Sequence, residues 1–375
     1  MNSLEIKLRK MILDEVKGDL STCTPGLRLQ VLQGGRLRAD LSMGQTYRYY
    51  DLASLTKIIF TVPALMRLVD EGRLRVQDPV RKHLPWWPHK KTTVAQILSH
   101  SAGLPWWSPF YKKMNLRNSL DERRERLRKI LFRTKLQSSK KAVYSDVDFI
   151  LLGFILESIH GCSLIEIWAS LPWAKRSRTL HFNVGNRSQF KKRFYAPTER
   201  CPWRKKVLRG EVHDENTWSF GGVSSHAGLF GGIEDVTRYG LLLRNSLRKN
   251  SPRAYASRKT VKQFIRRAVP PRRGDWALGF MLPTRGGASC GRYFHPTSIG
   301  HTGFTGTSLW YDPKRDLLVV LLSNRVHPTR ANRKFVSLRP RLHDIVVEAL
   351  CGGNKKVVTL SGGNKKTATL SGRRK

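Results

Sequence analysis

Six consecutive aliphatic residues, Leu317-Leu318-Val319-Val320-Leu321-Leu322, set the strongest limit on the fold. Side chains on a strand alternate between the two faces of its sheet, so a strand with no polar position needs cover on both sides. Partners for it are written at both ends of the chain. Leu27, Leu29 and Val31 alternate, Gly34-Gly35 supplies a turn, and Leu37, Ala39, Leu41 and Met43 alternate again, the pattern of a hairpin. Residues 276–282, 297–301 and 307–311 also read as strands. The middle reads as helix. Leu55, Ile58, Ile59, Val62, Leu65, Met66 and Val69 cover one broad face over 53–70, and 94–99, 120–136, 146–159 and 234–248 follow. A first helix carries Leu4, Leu8, Met11, Ile12 and Val16, and a last one spans 340–350. The expected fold is α+β, an antiparallel sheet built from both termini and flanked by the terminal helices. Residues 1–70 and 270–350 form this α/β part, and 71–269 a mostly helical insertion.

Composition excludes several alternatives. Apolar types make up 40% of the 375 residues, enough to bury a sizeable core and unlike a disordered chain. No apolar run reaches the roughly 18–20 residues of a membrane span, so no transmembrane segment is expected. The five cysteines are odd in number and never form a CxxC pair, which argues against a disulfide framework or zinc ribbon and for a reducing compartment. The N-terminus lacks the uninterrupted apolar stretch of an export leader, so a cytoplasmic location is expected. No HExxH or clustered ligand spacing points to a metal, and no cofactor is expected.

Charge is the anomaly. Lys+Arg number 69 against 27 Asp+Glu, a net charge of +42. Residues 351–375 repeat GGNKK at 352–356 and 362–366 and carry seven Lys/Arg with no acid. That tail is expected to be disordered, and +35 remains on the body. Segments 112–141 and 173–209 hold twelve Lys/Arg each, with three acids and one. They suit either a solvated surface or a polyanion contact. No zinc-finger, KH or RRM pattern accompanies them.

Three short motifs carry chemistry. In Ser54-Leu55-Thr56-Lys57, the i, i+3 spacing puts a hydroxyl and an amine on one helical face. The serine stands at a helix N-terminus, where free N–H groups favour a developing anion. Tyr144-Ser145-Asp146 precedes an apolar helix, and a phenol near an ammonium can relay a proton. His301-Thr302-Gly303 lies on or beside a strand, and its glycine would let a substrate lie close along the edge. Taken singly, each also fits a structural role: a helix-start serine with a surface lysine, an N-cap with a core tyrosine, a glycine-rich bulge. His100, Glu211, His213, Asp214, Asn216 and His226 suit either a cleft or a loop scaffold. Trp86-Trp87 and Trp106-Trp107 suit either an aromatic wall for an acyl chain or sugar, or buried packing.

The order of the three motifs, with Leu98-Ser99-His100-Ser101-Ala102-Gly103-Leu104-Pro105 between the first two, resembles the serine beta-lactamase-like superfamily. The similarity is to the branch of class C beta-lactamases, DD-peptidases and related esterases, and it spans roughly residues 25–350. Residues 209–216 and 221–230 are similar to a segment of its uncharacterised members. The resemblance implies that Ser54 is the nucleophile of an acyl-enzyme, with Lys57 and Tyr144 as a shared proton-transfer unit whose base is left open. It implies an oxyanion hole from the backbone N–H groups of Ser54 and Phe304. It casts His301 and Thr302 as orienting the substrate's polar end, and Gly303, Asp146 and His100 are further candidates for the substrate-binding site.

Two departures from that pattern stand out. Asp146 replaces the branch's Asn, exchanging an amide for a carboxylate that only accepts hydrogen bonds or instead holds Lys57 as an ion pair. His301 replaces the more common Lys, exchanging an ammonium for an imidazole mostly neutral at pH 7. The implied function is a serine hydrolase of a D-amino-acid amide, beta-lactam or ester, with a small or peptidoglycan-derived substrate. The alternative is a catalytically weak penicillin-binding or polyanion-binding protein on the same fold. Relatives often work outside the cytoplasm, in contrast to the location expected from the missing leader.

Overall fold

The computed structural model describes residues 1–248, 251, 254–284 and 288–351. Apart from its first residue, the repeat tail expected to be disordered lies outside them.

The aliphatic run forms β5 (Leu317–Ser323) at the centre of a five-stranded antiparallel sheet. Its neighbours are β1 (Gly26–Gln33) on one side and β4 (Ser308–Asp312) on the other. The edges are β2 (Arg36–Gly44) and β3 (Ile299–Thr302). Val319 sits opposite Val31 and Trp310, so both ends of the chain meet in one sheet. Leu317, Val319 and Leu321 join a core with the terminal helices α1 (Ser3–Glu15) and α7 (Lys334–Cys351). Leu318, Val320 and Leu322 join the larger core of the helical region. That split explains the missing polar positions, since each face of β5 has its own hydrophobic partner.

The helical region contains α2 (Val62–Asp70), α3 (Val94–Leu98), α4 (Leu120–Phe132), α5 (Asp146–His160) and α6 (Ile233–Ser246). α6 lies against the sheet so closely that a Cβ on Gly240 would meet Leu318 at 2.7 Å. α5 is nearly apolar around its circumference and is buried accordingly. Among the described residues no single helix is long and apolar enough to cross a membrane.

Some boundaries differ from expectation. Residues 276–282 make only single bridges, Trp276 with Met281 and Met281 with Gly300. Gly279 takes φ +85° and folds the segment into a turn in which Ala277 N donates to Phe280 O. α7 starts six residues before 340 and carries Pro340 internally, while α4 ends at Phe132 rather than at 136.

Candidate active site

Ser54 stands between the short strand Tyr50–Asp51 and a helix whose first turn is a wide π turn over Lys57–Thr61. The preceding Ala53 takes φ +47°, a left-handed conformation costing an L-residue roughly 1–2 kcal/mol. Neighbours hold it there. Asp51 accepts hydrogen bonds from Ala53 N (2.9 Å) and His213 N (2.7 Å). Thr305 donates to Asp51 O (2.7 Å) and Thr307 to Leu52 O (3.1 Å). The serine turn is thereby fastened to the turn after β3. Strain held by surrounding contacts is common at reactive positions.

Lys57 is fully buried, and its three protons meet three acceptors. Nζ donates to Ser54 Oγ (2.9 Å), Asp146 Oδ1 (2.7 Å) and the His226 carbonyl (2.9 Å). Tyr144 Oη lies 2.7 Å from Ser54 Oγ and donates to Asp146 Oδ1 at 2.9 Å. Ser54, Tyr144, Asp146 and Lys57 therefore close a four-membered hydrogen-bonded ring, although Ser54 and Tyr144 are 90 residues apart. Burial lowers the Lys57 pKa, and Asp146 opposes that shift. Burial raises the Tyr144 pKa well above its ordinary value, and the Asp146 charge adds to the effect, so the phenol is held neutral. Of the two readings of the Asn-to-Asp exchange, the structure contains the ion pair.

The Tyr144 turn is anchored from the other side. Ser145 caps α5 and donates to Pro105 O (2.6 Å), while Asp146 N donates to Trp106 O (2.9 Å). His100 lies behind this turn, with Nδ1 2.9 Å from Asp148 Oδ2 and 3.2 Å from Ser145 N. Its ring is wedged among Tyr144, Phe149 and Trp276. The expectation that His100 binds substrate is corrected accordingly: its side chain is fully buried and supports the loop carrying Tyr144.

His301 sits opposite Leu309 on the edge strand β3, its ring 5.9 Å from that of Tyr144. It is buried, and burial, then the Lys57 charge, pushes its pKa down to about 3. It offers a substrate no positive charge at neutral pH. Its Nδ1 lies 2.8 Å from Thr302 O, and its buried Nε2 has no partner among the described residues. Thr302 is half-buried, with Oγ1 3.9 Å from Met281 Sδ. Gly303 has no room for a Cβ, which would overlap Thr307 Oγ1 and approach Leu52 O to 2.7 Å. Phe304 is 47% exposed and lies between His213, stacked at 5.5 Å, and Arg325, 4.8 Å from its ring. Among the described residues, neither Ser54 N–H nor Phe304 N–H has a backbone or side-chain acceptor.

Two cavities meet at Ser54, sharing Asp146, Trp106, Phe304 and Arg330 as walls. The larger, about 620 Å³, follows β3 and is lined by Arg325, Arg333 and Arg339. The smaller, about 300 Å³, is lined by Trp107, His213, Asp214, Glu215 and His226. The arginines come from the loop after β5 and the start of α7, where no sequence spacing singled them out. Asp214 and His226 were legible as loop residues with two readings, and the structure places both at the cavity.

An antiparallel sheet with this helical region is the architecture of beta-lactamases and penicillin-binding proteins. The sequence profile of the beta-lactamase family matches residues 14–339, and the chain belongs to that family. A protein of Salmonella typhimurium named "Putative D-alanyl-D-alanine carboxypeptidase" is 34% identical over 332 residues, covering 80% of this chain and 75% of that protein. A Salmonella typhi protein of the same name matches equally well. Among solved structures, the penicillin-binding protein homologue from Pyrococcus abyssi superimposes with a TM-score of 0.64 at 18% identity, over 93% of this chain and 77% of that one. EstCE1, a hydrolase with promiscuous acyltransferase activity, gives 0.66 at 17% identity over 91% and 100%. These structural likenesses establish the fold.

Proposed function

We propose that the chain is a serine hydrolase that forms an acyl-enzyme at Ser54 and acts on a D-amino-acid amide with a terminal carboxylate, as a DD-carboxypeptidase does. The observation that carries this reading is the contact of Ser54 Oγ with both Lys57 Nζ and Tyr144 Oη at the junction of the two cavities.

Proton counting supports a specific route. Lys57, as an ammonium with all three protons engaged, has no lone pair for the Ser54 proton. Tyr144 Oη has one, and its own proton already points at Asp146. As Ser54 Oγ bonds to the scissile carbonyl carbon, its proton passes to Tyr144 and the Tyr144 proton to Asp146. The oxyanion is held by the N–H groups of Ser54 and Phe304, donors of a kind worth about 3–4 kcal/mol. The pair then returns a proton to the departing amine as the C–N bond breaks. Water reverses the route to free the acid. Three arginines without a carboxylate partner among the described residues, Arg325, Arg333 and Arg339, supply the positive charge that His301 lacks, which favours an anionic leaving group over a neutral ester. A wall peptide as substrate would place this activity outside the cytoplasm.

The test is mass spectrometry after exposure to a D-alanyl-D-alanine peptide, a penicillin and a reporter ester. Wild type should gain an acyl adduct that Ser54→Ala does not, and no adduct with no turnover on any of the three would refute the reading. A second reading, contact with a polyanion, draws on Lys112, Lys113, Lys140, Lys141, Lys191 and Lys192, which are exposed. Retention on heparin should then fall steeply with salt, and a flat salt response would remove it.

A further inference from the structure

We propose that the smaller cavity is a subsite for an ammonium group on the acyl part of the substrate, with Asp214 as its counter-ion and Trp106 and Trp107 as its wall. The inference rests on the hydrolase reading above and deepens it: the cleft would select a donor with a carboxylate on one side of the scissile carbonyl and an ammonium on the other.

The two carboxylate oxygens of Asp214 have different surroundings. Oδ1 accepts from Thr217 N at 2.7 Å and lies 3.0 Å from His226 Nε2. Oδ2 has no partner among the described residues, and the side chain, 20% exposed, lines the cavity. Burial disfavours ionisation of Asp214, but His226 and the Thr217 N–H outweigh it and hold the carboxyl well below its usual range. The group is therefore an anion with one oxygen open to a ligand.

His226 is engaged with Oδ1 and leaves Oδ2 open, and the nearby cations are committed to other carboxylates. Arg330 is shared between Glu199 (2.7 Å) and Glu215 (2.6 Å), two carboxylates to one guanidinium. Lys57 is committed to Asp146. Trp106 and Trp107, stacked at 5.9 Å, line the same cavity as Asp214, and Trp106 is 62% exposed. A cavity lined by a carboxylate and indole rings suits a cation, because a ring face and the carboxylate act on it with the same sign. The larger cavity, with its unpaired arginines, has the opposite preference. The charge of the cleft thus changes sign across Ser54.

The experiment uses the full chain and two peptides ending in D-alanyl-D-alanine. One bears a free lysine side chain next to the scissile residue, and the other carries the same lysine acetylated. Wild type should prefer the free ammonium by about tenfold in kcat/KM, the scale of one partly desolvated charge contact. Asp214→Asn keeps the helix cap and should bring that ratio close to one. Trp107→Leu should lower it several-fold. Binding of both peptides to Ser54→Ala, read by tryptophan fluorescence, should show the same preference without turnover. Equal affinities for Ser54→Ala, or an unchanged ratio in folded Asp214→Asn, would overturn the inference. Failure of the hydrolase reading is distinguishable, since neither peptide would then leave an adduct on Ser54 while the binding preference could still be measured.

Discussion

Asp146→Asn separates the two candidate bases. The substitution keeps an oxygen that can accept from Lys57 and Tyr144 and removes only the charge. In the native protein that oxygen lies 2.7 Å from Lys57 Nζ, with the lysine fully buried and the aspartate 17% exposed. Removing one member of a buried pair costs roughly 3–5 kcal/mol when the other stays charged. Lys57 can escape by losing its proton. From an ordinary value of 10.5, that costs about 1.4 kcal/mol for each of 3.5 pH units at pH 7, or about 5 kcal/mol. The two routes agree, so a loss of up to about 5 kcal/mol is expected in urea unfolding. A neutral Lys57 would also free a lone pair toward Ser54. If Asp146 is the terminal acceptor in the relay, the acylation rate per folded molecule should nevertheless fall by about 10²–10⁴-fold, the usual worth of general acid–base catalysis. Stopped-flow acylation by a fluorescent penicillin from pH 5 to 9 reads this directly. A folded Asp146→Asn protein that acylates at the native rate would refute the relay and assign the base to Lys57.

Tyr144→Phe should slow acylation by about 10²–10⁴-fold with little change in melting temperature, because the ring keeps its packing on Trp276 and His100; native kinetics would contradict the route. Gly303→Ala should cost about 1–3 kcal/mol in urea unfolding and impair acylation, since the overlap with Leu52 O involves backbone that no rotamer change relieves. Burial, then the Arg339 charge, pushes the His343 pKa from 6.5 down to about 3. Between those values the unfolded chain binds a proton that the native protein refuses, so stability rises with pH through that window, by about 1.4 kcal/mol per pH unit for this one group. His343→Gln should flatten the measured slope between pH 4 and 6 by that amount, and an unchanged slope would show that the imidazole is not held neutral.

Legibility followed periodicity. β5 was readable because both of its faces are buried, and the first hairpin because its alternation flanks a Gly-Gly turn. Residues 276–282 looked alike in composition but contain Gly279, whose positive φ converts the segment into a turn. The start of α7 was hidden by Pro340, which looks like a helix boundary although the helix runs through it. In the cleft, Ser54 and Lys57 share one turn and Tyr144 and Asp146 another, so local spacing displayed each pair. The pairing between them depends on α5 docking beside the π turn, a contact spanning 89 residues from Lys57 to Asp146. His100 kept two readings because a polar residue in a loop carries no mark of which way it points, and the fold turns its side chain inward. Asp214 was visible, but only the cavity shows that Oδ1 is occupied and Oδ2 open.

The two departures from the family pattern become one rearrangement once the charges are placed. With Lys in place of His301 and Asn in place of Asp146, the strand edge would carry a cation and Lys57 would have no counter-ion in the ring. Here the strand position is a buried neutral imidazole, and Lys57 is balanced at 2.7 Å. Relative to that pattern the strand carries one positive charge fewer, and the ring around Ser54 one negative charge more. Both changes make that ring more negative, which disfavours an approaching carboxylate unless cations are returned elsewhere. Arg339 does so from α7, reaching Gly303 O at 3.0 Å and Thr307 O at 3.2 Å, next to the strand position that lost its charge. Buried without a carboxylate partner, its pKa falls to about 10, so it remains a cation at neutral pH. A cation thus stands on the helix that covers the strand, and in the proposed relay Asp146 is an acceptor that an amide would not provide.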